Sequence, residues 1–280
     1  MMAILLTGAT GFVGRHILAQ LQRRGHGVTI VARPGWQERI AFEPELTQAV
    51  ETDDVFAQDA DWWRGVLAEG DLVIHAAWYA EPGAYLTSGK NLDCLSGTLA
   101  LAKGATAAGV GRVVGLGTCI EYEMAEHPLS SDAPLTPTTP YAAAKLSAFH
   151  TLQQWFGQEG VSFLWCRLFH LYGPGEHAKR LVPFLHDRLK AGAAVELTSG
   201  TQIRDFIDVE TAARRIVDGA LSDVQGAANI CTGQGRTVRA LAEEIADQYG
   251  RRDLLRFGAR ADNLVDPPCI VGVPTAFGAD

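Results

Sequence analysis

Residues 5–18 read LLTGATGFVGRHIL, and this stretch limits the fold more than any other part of the chain. Gly8, Gly11 and Gly14 stand three residues apart, between an apolar strand-like run and a segment with apolar residues at helical spacing. Glycines permit a tight turn, a close backbone approach to a pyrophosphate and close helix–strand packing. A phosphate then meets a helix N-terminus and its partial positive charge. Strand, glycine turn and helix in that order predict a dinucleotide-binding unit rather than a merely structural turn.

The pattern repeats downstream. GVTIVAR, DLVIHAAW (71–78), GRVVGLGT (111–118) and VSFLWCRLFHLYG (161–173) read as apolar strands. Between them, NLDCLSGTLALAKGATAAGV (91–110) and PYAAAKLSAFHTLQQWFGQEG (140–160) read as helices, the second with Pro140 at its start, where a missing N–H costs little. Alternating helices and continuously apolar strands predict an α/β fold, a Rossmann-type doubly wound parallel sheet covered on both faces. That domain is expected over residues 1–173. A smaller α/β substrate lobe is expected over 174–280, with about 201–217 returning to the first domain.

Composition narrows the function. The 280 residues carry a formal charge of −8, which argues against broad nucleic-acid binding. No apolar run reaches the roughly 18–20 residues of a membrane span, and no cationic leader precedes the first strand. The five cysteines are scattered without a CxxC pair, and the histidines lack a spacing such as HxxxH, so neither a disulfide framework nor a metal site is expected. A cytoplasmic protein is the expectation.

The end of the second strand selects the cofactor. An acidic residue there would bond the 2′-hydroxyl of NAD. This chain has Ala32 and Arg33, and an arginine pairs with a 2′-phosphate and stacks on adenine. NADP(H) is therefore expected over NAD(H). Arg15 is either a second contact or a solvated residue. Further along, Tyr141 and Lys145 lie one helical turn apart on one face. A neighbouring ammonium is expected to lower the phenol's pKa and ready it for proton exchange with a carbonyl or alcohol.

TGATGFVG together with YAAAK resembles the short-chain dehydrogenase/reductase superfamily, in its extended, sugar-nucleotide-modifying branch, the NAD-dependent epimerase/dehydratase family. DLVIHAA, RLFHLYGPGE (167–176) and RDFIDVETAARRIV (204–217) resemble further segments of that branch, in order, over most of the chain. The resemblance implies a hydroxyl catalytic residue at Thr118, completing a set with Tyr141 and Lys145. It implies cofactor contacts from Gly8, Thr10, Gly11, Phe12, Val13, Gly14, Arg33, Asp54, Ala76, Ala77 and Leu168, besides Tyr141 and Lys145. It implies a nucleotide-diphosphate sugar as substrate, held by Trp78, Tyr79, Tyr85, Thr118, His170, Arg204 and Arg260. His170 stands where the branch commonly has Asn, and either bonds a substrate hydroxyl or satisfies local backbone.

Sugar-nucleotide dehydratases of the branch carry Asp-Glu directly after the catalytic Thr. Here Cys119 and Ile120 take those places, so elimination of water is disfavoured. Cys119 reads as a small buried residue rather than a reactive thiol. GTCIEYE and HAAWYAEPGAYL resemble the nucleotide-linked 4-keto-6-deoxysugar reductases typified by CDP-abequose synthase. The expected activity is NADPH-dependent reduction of the C4 keto group of a nucleotide-activated 4-keto-6-deoxyhexose. The alternatives are a sugar-nucleotide epimerase with tightly held NAD and a non-catalytic NADP-binding regulator. A homodimer is also implied, through helices 91–108 and 140–157. Gly97, Ala100, Gly104, Ala142 and Ala143 permit close approach there, or pack inside the subunit.

Overall fold

The computed structural model describes residues 3–263 and 266–278. The first half comprises β1 (Ile4–Thr7), α1 (Phe12–Arg23), β2 (Val28–Ala32), β3 (Thr47–Glu51), α2 (Ala60–Val66), β4 (Leu72–His75), α3 (Lys90–Ala107), β5 (Arg112–Thr118), α4 (Pro140–Glu159) and β6 (Ser162–Leu168). The second half adds β7 (His170–Tyr172), α5 (Leu181–Lys190), β8 (Val195–Leu197), β9 (Ile203–Asp208), α6 (Val209–Leu221), β10 (Gly226–Ile230), β11 (Gly235–Thr237), α7 (Val238–Gln248), β12 (Leu255–Phe257) and β13 (Cys269–Ile270).

Seven parallel strands form the central sheet in the order β10-β6-β5-β4-β1-β2-β3, with helices on both faces. Successive side chains of a strand point to opposite faces. Ile4 and Leu6 of β1 accordingly join Ile17, Leu21 and Ile216 in one apolar layer, while Leu5 joins Leu101, Phe149 and Trp165 in the other. Burial on both faces explains why the inner strands read as unbroken apolar runs. The edge strand β3 (TQAVE) is the exception. It is mostly exposed and carries no such run, which is why no strand is legible there.

The run 161–173 divides in two. β6 stays in the large sheet, whereas β7 pairs with β9 in a separate small sheet. After residue 173 the chain does not remain in one lobe. α6 packs against α1, and β10 extends the large sheet beside β6. The smaller lobe has its own core, with Val182, Leu185 and Leu189 of α5 against Leu241 and Ile245 of α7. No helix among the described residues is long and apolar enough to cross a membrane.

Two of the small residues on α3 serve packing within the subunit. A Cβ on Gly97 would stand 2.5 Å from the backbone of Phe56, and one on Gly104 would stand 2.4 Å from Trp63. Ala142 is likewise buried, which leaves Ala100 and Ala143 half-exposed on the outer faces of α3 and α4.

Candidate active site

The glycine turn is built for close approach. Gly8 adopts φ +73°, and a Cβ there would stand 2.6 Å from the Ala77 nitrogen. A Cβ on Gly14 would stand 2.0 Å from the Gly8 carbonyl oxygen, so the helix can start against the strand only without a side chain. Gly11 leads into α1 without a side-chain cap, and the first turn holds no acid, so its N–H groups stay free for an anion. Thr10, Phe12 and Val13 flank that turn. Arg15 is not a loose surface residue: its guanidinium donates to the carbonyls of Gly11 (3.1 Å) and Thr10 (3.0 Å).

Ala76 and Ala77 are fixed by a hydrogen-bond chain that ends on His75. The Thr98 hydroxyl donates to the Cys94 carbonyl (2.7 Å) and accepts from His75 Nε2 (3.0 Å). His75 Nδ1 accepts from the Thr7 hydroxyl (2.8 Å), which itself accepts the Ala77 N–H (3.2 Å). Every partner is satisfied by a neutral imidazole. Burial first, and Lys145 second, lower the His75 pKa to about 3. His75 thus ties β1, β4 and α3 together beside the glycine turn. Arg33 is exposed just beyond β2. Asp54 accepts the Phe56 N–H (2.9 Å), which orders its own turn.

Parallel register places Thr118, the last residue of β5, beside Leu168, the last of β6. Gly115 and Gly117 precede it because a Cβ at either would collide with the Trp165 ring, at 2.4 and 2.2 Å. Thr139 caps α4 by accepting the Ala142 N–H (3.2 Å), and Pro140 opens the helix. That start delivers Tyr141 to β5, with its hydroxyl facing the Thr118 side chain. One turn on, Lys145 is 4% exposed and donates to the Leu116 carbonyl (2.6 Å). The fold therefore brings Thr118, Tyr141 and Lys145 together.

The electrostatics differ from the sequence expectation. Lys145 does not lower the phenol. Burial raises the Tyr141 pKa, Tyr85, Glu121 and Cys119 add to the rise, and only the Thr118 side chain opposes it. The ammonium is turned instead toward Leu116 and the Trp78 ring, whose centroid is 3.8 Å away. Burial lowers the Lys145 pKa to about 7. Cys119 is buried and its thiol is pushed up to about 12, which makes it an inert core residue.

Beneath Thr118 lies a buried ion pair that the motif does not reveal. Glu121 accepts the Thr118 N–H (2.8 Å), Trp165 Nε1 (3.2 Å) and Arg167 Nε (2.7 Å). Arg167 Nη1 continues to the Tyr122 hydroxyl (3.1 Å) and the Ser131 carbonyl (2.9 Å). The signal in the sequence was the departure EYE, where the family has Tyr-Gly.

The other expected substrate residues are held by partners of their own. The Tyr85 ring meets the Tyr141 ring edge-on at 4.8 Å, and Arg180 lies 5.3 Å from its centre. Tyr79 carries Lys90 at 4.8 Å, on the outer side. Burial, Arg204 and Arg180 lower the His170 pKa to about 3, and its Nδ1 has no hydrogen-bond partner. Arg204 is buried and already ion-paired with Asp266 at 2.7 Å, a partner the sequence reading did not foresee. Arg260 is exposed, 5.7 Å from the Phe184 ring. Arg180 was missed because nothing local sets it apart from other surface arginines.

The model of the NAD dependent epimerase/dehydratase family matches residues 4–229, a span that includes the glycine turn and all three converging side chains. The chain belongs to that family. A dTDP-6-deoxy-L-talose 4-dehydrogenase (NAD(+)) from Aggregatibacter actinomycetemcomitans is 23% identical over 89% of this chain and 91% of its own length. A GDP-6-deoxy-D-mannose reductase from Pseudomonas aeruginosa is 29% identical over 87% of this chain and 79% of its own. In fold, this epimerase/dehydratase-family chain is similar to a UDP-N-acetylglucosamine 4-epimerase from Methanobrevibacter ruminantium M1 (TM-score 0.86, 23% identity, 98% of this chain and 90% of that one). It is likewise similar to the dTDP-glucose 4,6-dehydratase DesIV from Streptomyces venezuelae, solved with NAD and TYD (TM-score 0.82, 23% identity, 98% and 88%). These relatives are named for nucleotide-linked sugars, and the DesIV structure holds NAD.

Proposed function

We propose that the protein reduces the C4 keto group of a nucleotide-activated 4-keto-6-deoxyhexose, using NADPH. The observation that carries the reading is the pair of residues directly after Thr118. Cys119 and Ile120 hold no acid or base, and Cys119 is buried with its thiol pushed up to about 12. The Thr118–Tyr141–Lys145 set then serves carbonyl chemistry without an elimination partner. When bound, NADPH would supply the hydride for the keto carbon. Tyr141 donates the proton to the oxygen, and the Thr118 hydroxyl hydrogen-bonds that oxygen as charge develops. Ketone, hydride and proton balance to the alcohol. Lys145, one helical turn from the phenol, is held on the Leu116 carbonyl and over the Trp78 ring. The free N–H groups at the start of α1 would hold the pyrophosphate, and Arg33 would meet a 2′-phosphate.

Relatives named as a reductase and a 4-dehydrogenase of 6-deoxysugar nucleotides support this chemistry. Epimerisation is the second reading, because a UDP-glucose 4-epimerase from Mycolicibacterium smegmatis is 27% identical over 90% of this chain and 84% of its own. Arg33 favours reduction with exchangeable NADPH over a retained NAD. The test is NADPH consumption over a panel of CDP-, dTDP-, GDP- and UDP-linked 4-keto-6-deoxysugars, with product stereochemistry read by NMR. Stoichiometric NAD in the purified protein, with isomerisation of a sugar nucleotide and no NADPH use, would select the epimerase.

A further inference from the structure

A lysine sealed from water needs something to hold its charge, and among the described residues Lys145 forms no ion pair with a carboxylate. Among the described residues its one hydrogen bond goes to the Leu116 carbonyl (2.6 Å). The groups that face it are Glu121 after β5, Cys94 on α3, His75 on β4, the Trp165 ring of β6 at 5.7 Å and the Trp78 ring. The Trp78 ring is much the nearest flat surface, with its centroid 3.8 Å from Nζ. A cation over an indole face is attracted by the ring quadrupole, and more strongly when desolvated.

Trp78 is not free to choose this position. Its Nε1 donates to Asn91 Oδ1 (2.9 Å). Asn91 is fully buried at the start of α3. Its Nδ2 donates to the carbonyls of Tyr85 (2.7 Å) and Ser88 (2.9 Å). The same segment, through the Leu86 carbonyl, accepts the Tyr141 N–H (3.1 Å), and its Tyr85 ring abuts Tyr141. One amide therefore fixes the ring under Lys145 and the loop against Tyr141.

We propose that Asn91 and Trp78 are positioning residues of the Tyr141–Lys145 pair: the indole face, oriented by Asn91, seats the Lys145 ammonium. This inference rests on that pair being the reacting pair of the proposed reduction, but its main test needs neither cofactor nor substrate. The chain has five lysines (Lys90, Lys103, Lys145, Lys179 and Lys190), so [ε-13C]lysine labelling gives a spectrum that Lys145→Arg assigns. Trp78 is replaced in turn by 5-fluoro-, 5,7-difluoro- and 5,6,7-trifluorotryptophan. These keep the ring in place while draining its negative face.

The Lys145 titration midpoint, near 7 in the native protein, is expected to fall with each fluorine, by about 0.5–1 pH unit over the series. The other four lysines stay unmoved. Asn91→Leu, or Asn91→Ser where the leucine variant does not fold, flattens the series, because the ring loses its anchor. A flat series in the native background overturns the role of Trp78. An unchanged slope in the Asn91→Leu or Asn91→Ser background overturns that of Asn91. Turnover of a nucleotide-linked keto sugar is expected to fall in the same order. A protein that reduces no such sugar, yet shows the titration series, would contradict the proposed function and leave this arrangement standing.

Discussion

Glu121 and Arg167, 46 residues apart in the chain, form an ion pair at 2.7 Å with side chains 0% and 1% exposed. Glu121 also accepts the Thr118 N–H, so the pair holds the end of β5 that carries Thr118. Taking two charges out of water is costly, and removing one partner leaves the other unpaired. Glu121→Gln is therefore expected to destabilise the fold by about 3–5 kcal/mol in urea unfolding. Glu121→Gln combined with Arg167→Met recovers much of that loss, because no charge is then stranded. Equal stability of wild type and Glu121→Gln would contradict the assignment.

In the proposed reading, NADPH preference depends on Arg33. Arg33→Asp removes the guanidinium and places an acceptor where a ribose hydroxyl would lie. The expected result is a rise of about 10–100-fold in KM for NADPH with KM for NADH unchanged or lower, from about 1.4–2.8 kcal/mol of lost phosphate pairing. Steady-state kinetics with both cofactors measure it.

His75 and His170 stay neutral in the fold, each with its pKa lowered to about 3 against 6.5 for a free imidazole. Between those values the unfolded chain binds more protons than the native one, so stability falls as pH drops. Each histidine contributes a slope of ~1.4 kcal/mol per pH unit within that window. Urea midpoints from pH 7 to pH 4 should fall less steeply in His75→Leu than in wild type. Parallel curves would show that His75 does not carry the proton.

The reach of sequence reading tracks the reach of the interactions. The glycine turn, the inner strands and the Tyr141–Lys145 spacing are local, and each lies within a few residues of the feature that reveals it. Thr118 is likewise placed by counting along a short motif. Trp78 reads as a wall of the sugar pocket, and only the packing of α3 against α4 sets it on Lys145. Asn91, Glu121, Arg167 and Arg180 act through partners distant in the chain, so nothing adjacent marks them. The short strands β7, β8, β9 and β11 to β13 depend on pairing with each other and carry little pattern of their own. The expected depression of the Tyr141 phenol failed for a related reason: spacing puts a lysine on the same helix face without saying where its ammonium points.

The homodimer is proposed through the outer faces of α3 and α4. Leu92 of α3 is 68% exposed, and Ala100 of α3 and Ala143 of α4 are half-exposed. Leu92→Glu puts a charge on that face at no cost to the subunit's own core. Sedimentation equilibrium should report a dimer for wild type and a shift toward monomer of at least tenfold in Kd for the variant, about 1.4 kcal/mol. A monomeric wild type would contradict the proposal.

The central claim is that Tyr141 passes the proton in a reduction. The direct measurement is NADPH oxidation by wild type and Tyr141→Phe with the 4-keto-6-deoxysugar nucleotide that turns over best, at equal cofactor occupancy. The account predicts a fall in kcat of about 10²–10⁴ with cofactor binding retained. Undiminished turnover by Tyr141→Phe would contradict it.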